Sequence, residues 1–236
     1  MKRTAIIFLT FMLLQYTNAQ NTKSTSVTKS TTVKQPAKER LVEIVTSYGN
    51  MVVKLYDSTP HHRDNFIKLV QSGFYDSLLF HRVIKNFMIQ GGDPGSRHAD
   101  SGAVLGNGEA PGDMIPAEFK PNLFHKKGAL AAARTDNPEK ASSNCQFYIV
   151  QGKTYADIDL NMMECNARNS NPAFTYSATQ RRAYKTLGGT PFLDQNYTVF
   201  GEVIKGIEVI DKIAAVSTDS NDRPLQNVIM KIKLLN

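Results

Sequence analysis

The sequence has 236 residues, with 28 Lys+Arg against 21 Asp+Glu and 41% apolar residues. That suits one domain or two small ones and excludes a disordered, collagenous or multispan membrane chain. The net charge of +7 is concentrated at the start: Lys2, Arg3, Lys23, Lys29, Lys34 and Lys38 all precede the first acidic residue, Glu39, and without those six the stretch 39–236 holds 22 basic and 21 acidic residues. A nearly neutral body lacks the basic face that displaces counterions from phosphate, so no nucleic-acid partner is expected.

Residues 1–19 read as an export signal. Lys2-Arg3 is followed by an apolar run from Ala5 to Leu14, broken only by Thr10, and Thr17-Asn18-Ala19 offers small residues for cleavage near Ala19. The run is too short to span a bilayer. The mature chain is therefore expected to be exported, periplasmic or extracellular, with no stable membrane insertion. Residues 20–38 read as a flexible tether, because the five Thr, three Ser and three Lys of 21–34 leave almost nothing to bury.

The remaining 39–236 read as one domain. Short β-prone runs at 41–46 and 51–56 flank Tyr48-Gly49-Asn50, a hairpin signal. Thr59-Pro60 supplies an N-cap and a first-turn proline, Phe66, Leu69 and Val70 recur at helical spacing, and Gly73 ends that helix. Further strand-like runs lie at 78–84, 87–90, 129–133, 146–150, 198–203 and 228–234, with a helix marked by Ile207, Ile210 and Ile213 before the last. Many short strands with few helices predict a mainly β fold, a closed or nearly closed barrel. The stretch 154–190 interrupts the rhythm and looks partly helical, with Asp157 and Ser177 as caps. It reads as an insertion between two barrel strands.

Most catalytic templates fail on this chain. His61 and His62 are adjacent and cannot face one ligand from a helix, so they read as a solvated helix start. His81, His98 and His125 have no Cys or acidic partner at ligand spacing. The Gly106–Gly112 stretch resembles a phosphate loop only loosely, with no strand before it and no helix after it. No metal and no cofactor is expected. One constellation is left: Arg82, Phe87, Met88 and Gln90 lie within nine positions, and on a strand Met88 and Gln90 share a face. Two readings fit it, an apolar core with a solvated edge charge or a site; spacing alone favours the first.

The stretch from Phe80 to Asp93 resembles the signature of the cyclophilin-type peptidyl-prolyl isomerases. So, in the family's order, do Gly128 to Arg134, Ser143 to Ile149 and Leu193 to Gly201. The resemblance covers about 41–234 apart from 154–190. It implies a closed eight-stranded antiparallel barrel flanked by two or three helices, acting on proline-containing segments of unfolded or exported proteins as a monomer. It assigns catalysis to Arg82 and Gln90, with Gln90 and Gln146 as the amides that orient the substrate backbone. A proline pocket falls on Phe87, Met88, Tyr148 and Leu193, a strand that holds the substrate chain, chiefly through backbone groups, on Ala133 and Arg134, and a further contact on Tyr197. Three departures bear on specificity. Phe192 stands where many members carry a tryptophan that binds cyclosporin, Arg134 where many carry asparagine, and Tyr148 brings a hydroxyl to a pocket phenylalanine's place. If Gln146 and Tyr148 face the groove, alternation sends Cys145 into the barrel interior, away from Cys165 in the insertion. Both cysteines are then expected as free thiols. Two other classes are a binding module without turnover and a barrel scaffold for the tether.

Overall fold

A computed structural model of the protein describes residues 40–235. The readings of 1–19 and 20–38, with the cleavage near Ala19, lie outside them. Among the described residues no helix is long and apolar enough to cross a membrane.

Strands β1 (Arg40–Thr46) and β2 (Gly49–Leu55) form the expected hairpin, with Thr46 opposite Gly49. Their period-two pattern turns Val42, Ile44, Met51, Val53 and Leu55 inward, all buried. Helix α1 (Pro60–Gln71) starts at Pro60, but the Thr59 hydroxyl donates to the Tyr56 carbonyl and does not cap the helix. The cap comes from far away: Glu118 accepts the His61 and His62 amides at 3.2 and 3.0 Å. An anion there satisfies donors the helix cannot use itself and complements its dipole. At the other end Gly73, at φ +70°, donates to the Val70 carbonyl and Phe74 to that of Leu69. That is the crossed pair of bonds a left-handed glycine permits.

Six further strands follow: β3 (Leu78–Ile84), β4 (Met88–Gly91), β5 (Ala129–Ala132), β6 (Phe147–Val150), β7 (Val199–Lys205) and β8 (Ile229–Leu234). They close with β1 and β2 into an antiparallel barrel of order β1-β2-β7-β5-β6-β4-β3-β8. The inside is filled by side chains such as Ile44, Met51, Phe80, Ile89, Leu130 and Phe147, as expected for eight strands. Phe66 and Val70 of α1 join this core.

Helices α2 (Asp157–Ala167) and α3 (Ala178–Thr186) lie in the 154–190 insertion, while α4 (Glu208–Ala214) adds Val209, Ile210 and Ile213 to the barrel core. Two helices thus pack on the barrel and two belong to the insertion. The N-cap of α2 is Ala156, one residue before the expected Asp157; the Asp159 carboxylate accepts the Ala156 amide instead. Ser177 does cap α3: its hydroxyl accepts the Gln180 amide while the Gln180 side chain accepts its own. The insertion has its own apolar cluster of Leu160, Ala167, Phe174, Tyr176 and Tyr184.

Candidate active site

Arg82 owes its direction to an irregularity in β3. Phe80 and Val83 both point into the barrel core although three residues apart, a parity an unbroken strand cannot give. The register against β4 slips between Phe80 and Arg82, so one extra residue, His81, is accommodated there. This bulge turns Arg82 and Ile84 to the outer face. His81 itself is buried, with no hydrogen-bond partner for either ring nitrogen among the described residues. Burial, with some help from the charges of Arg82 and Arg223 and against that of Asp93, lowers its pKa to about 4.

Register then builds a row across the outer face. Arg82 pairs with Gln90, Gln90 with Tyr148, and Tyr148 with Ala131. One step along, Ile84, Met88 and Val150 form a second row. Met88, Ala129, Ala131, Tyr148, Val150 and Val199 are the buried centre of a second apolar cluster, outside the barrel. Phe87, Ala133, Leu193 and Tyr197 pack against it half-buried. Phe192 sits at the rim, 43% exposed, its ring 5.6 Å from that of Phe87.

The two glutamines are held in defined orientations. The Gln146 amide nitrogen donates to the carbonyls of Gly106 and Gly108, so its oxygen is left to accept from Gln90 Nε2 at 3.1 Å. Gln90 therefore donates sideways to Gln146 and keeps its own oxygen as an acceptor beside Arg82. The 106–112 stretch is a loop, as expected, and it serves as the support for Gln146. Gly92, at φ +100°, lets this corner close: a Cβ there would lie 2.3 Å from the Cys145 carbonyl oxygen.

The charged groups near the row are constrained. Arg82 Nε lies 3.3 Å from Asp222 Oδ2, and Asp222 also accepts the Val83 amide through its carbonyl. Arg134 stacks on Tyr197, 4.7 Å above the ring, and donates to the Asn196 carbonyl. At Ala133 the expected backbone contact with substrate is corrected: its amide is engaged with Gln146 and its carbonyl with Ser143, so it offers its methyl group to the cluster.

Three histidine and cysteine readings are also corrected. His62 is buried, not solvated: its Nδ1 meets Glu118 at 2.7 Å and its Nε2 meets Ser142 Oγ at 3.0 Å. Burial lowers the His62 pKa, although Glu118 opposes it. His125 does have an acidic partner, Asp194, 69 residues away: Nδ1 lies 2.7 Å from Asp194 Oδ1, and Nε2 lies 3.0 Å from the Tyr148 hydroxyl. Spacing could not find this pair, but a tyrosine inside an apolar pocket is itself a signal that a buried partner is near. Cys145 is buried just before β6, against the loop at Gly108–Ala110, and not in the barrel core; its Sγ accepts the Ala110 amide. Burial, followed by the charge of Glu109, pushes that thiol up to about 12. Both cysteines are free, with Cys165 exposed on α2.

Comparison with known proteins places the domain as a whole. The profile of the family described as cyclophilin type peptidyl-prolyl cis-trans isomerase/CLD matches residues 41–233. A Staphylococcus aureus protein assigned as a peptidyl-prolyl cis-trans isomerase is 35% identical over 187 residues, 79% of this chain and 86% of its own. A Streptococcus pyogenes protein assigned as a bifunctional phosphatase and peptidyl-prolyl cis-trans isomerase is 35% identical over 195 residues; the chain spans 37% of its length. A cyclophilin-type isomerase of Cryptosporidium parvum superposes with a TM-score of 0.62 at 25% identity, over 84% of this chain and 99% of that one. The same protein solved in the presence of the dipeptide Ala-Pro gives 0.60 at 26% identity.

Proposed function

The chain belongs to the cyclophilin-type peptidyl-prolyl cis-trans isomerases, and on that premise we propose that it rotates X–Pro bonds at Arg82, in exported polypeptides whose folding it assists. The observation that carries the reading is the cross-strand row of Arg82, Gln90 and Tyr148 beside an apolar cluster on the barrel's outer face. Export rests on the character of residues 1–19 alone.

Rotation about an X–Pro bond is slow because the nitrogen lone pair is conjugated with the carbonyl, a barrier of about 18–20 kcal/mol. No bond has to break, so neither nucleophile nor base is called for. In the twisted state conjugation is lost and the nitrogen lone pair is localised. A guanidinium aimed at that nitrogen, or at the neighbouring carbonyl oxygen, favours the twisted state over the planar one. Arg82 uses Nε toward Asp222, which leaves its terminal nitrogens for substrate.

Arginine does not suffice. A charge-assisted hydrogen bond contributes about 1.5–3 kcal/mol net, while an acceleration of about 10⁵ needs nearly 7 kcal/mol. The balance comes from fixed dipoles in a dry pocket. Phe87, Met88, Tyr148 and Leu193 seat the proline ring, with Phe192, Ala133 and Tyr197 around them. The Gln90 oxygen, oriented by Gln146, accepts from the substrate backbone or from Arg82. Arg134 stiffens the edge by clamping Tyr197.

Arg82→Ala tests this in a protease-coupled isomerisation assay on short X–Pro peptides. Losing a preorganised donor costs about 10²–10³ in rate, with unchanged melting. Activity within a few-fold of the parent removes Arg82 from the mechanism.

A further inference from the structure

The floor of the pocket is wired to the insertion. Asp194, 1% exposed, accepts four hydrogen bonds: the His125 amide at 2.9 Å, His125 Nδ1 at 2.7 Å, the Tyr176 hydroxyl at 2.9 Å and the Tyr184 hydroxyl. A buried carboxylate is costly unless saturated with donors in this way. On the far side of His125, Nε2 meets the Tyr148 hydroxyl at 3.0 Å, and the two rings lie nearly parallel, 13° apart. Tyr148 is the pocket residue that pairs with Gln90 in the row carrying Arg82. Leu193, another pocket wall, immediately precedes Asp194. Two of the four donors, Tyr176 and Tyr184, belong to the 154–190 insertion. One carboxylate therefore holds two walls of the pocket and is itself held by the insertion.

We propose that Asp194 is a positioning residue of the isomerase site, and that the 154–190 insertion acts in substrate binding by anchoring it through Tyr176 and Tyr184. The proposal rests on the pocket described above. His125 passes the position of the carboxylate to the Tyr148 hydroxyl, which fixes how far the ring stands into the pocket. The chain of bonds runs beneath the proline ring and does not reach the rotating bond. Its loss weakens the planar and twisted states alike, which is a loss of affinity and not of turnover at saturation.

The test is an NMR titration with the peptide Ala-Ala-Pro-Phe, which reads Kd and the exchange rate at saturation separately. Asp194→Asn keeps the shape and removes the charge; its Kd should rise about tenfold, with the saturated exchange rate within about threefold of the parent. Tyr148→Phe should raise Kd about threefold, and the double variant should be no weaker than Asp194→Asn alone, because both act along one route. If Asp194→Asn does not fold, Tyr176→Phe with Tyr184→Phe removes the two insertion donors and should raise Kd about fivefold. A lower melting temperature with Kd unchanged within twofold, or fully multiplicative effects in the double variant, overturns the proposal. Wild-type protein that binds the peptide but does not exchange it contradicts the mechanism at Arg82 and leaves the Kd comparison to decide on Asp194.

Discussion

Arg82 and Asp222 show what a contact 140 residues apart in sequence contributes at one side chain. Their side chains are 43% and 41% exposed, so the pair is worth at most about 1 kcal/mol to folding. Its value lies in direction, since a guanidinium tied at Nε has fewer orientations to lose when substrate arrives. Asp222→Asn is therefore expected to leave melting within about 1 °C and to lower kcat/KM by roughly two- to fivefold, far less than Arg82→Ala. A loss as large as that of Arg82→Ala would place Asp222 itself in the chemistry; no change would show that the arginine needs no anchor at Nε.

Among the elements, α1 has no capping side chain of its own at Thr59 and depends on Glu118. Burial raises the Glu118 pKa, but the His62 ring and the amides of His61 and His62 outweigh it, so the carboxyl is held below its usual range. Glu118→Ala leaves two helix amides and the His62 ring without their acceptor. Solvent can reach the half-buried His61 amide, so the cost is that of an unmet donor at buried His62, about 1–3 kcal/mol, plus a lost cap, about 1. A loss of about 2–4 kcal/mol is expected from urea unfolding, with an unchanged m-value. A loss below about 0.5 kcal/mol would mean that solvent reaches His62 as well. Because Asn65 of α1 also donates to the Asn144 carbonyl at 2.6 Å, the helix braces the segment that presents Gln146, and fold and site share this support.

For the molecule as a whole, pH reads the buried histidines. Burial lowers the His81 pKa from the ordinary 6.5 to about 4, and His62 is lowered as well. A depressed histidine is neutral in both states above pH 6.5. Below it only the unfolded chain takes up the proton, and stability falls until the folded form also protonates near pH 4. His81 alone accounts for roughly 3 kcal/mol across that window, of which about 2 is gone by pH 5. In a domain of this size that lowers Tm by roughly 4–8 °C between pH 7 and pH 5. Glu118 adds to the loss below about pH 4.5, since its depressed pKa means stability that disappears as it protonates. Calorimetry from pH 7.5 to 4.5 checks the trend, and His81→Leu should flatten it; a Tm constant from pH 7 to 5 contradicts the assignment.

By itself the sequence determined whatever is set within a few residues. Alternation at 41–56 specified the hairpin, Gly73 the end of α1 and Ser177 the start of α3, because caps, turns and pleats are satisfied by near neighbours. The four motifs in family order specified the fold and brought Phe87, Met88, Gln90, Tyr148 and Leu193 into one list. Only the tertiary structure decided which way those residues face and what holds them. The bulge at His81 that swings Arg82 outward shows up only when β3 is laid against β4. Glu118 over α1, Asp194 under His125 and Asp222 beside Arg82 are joined to their partners by 56, 69 and 140 residues of chain. Partners that far apart meet only when the barrel closes, and burial then obliges each polar group to find one.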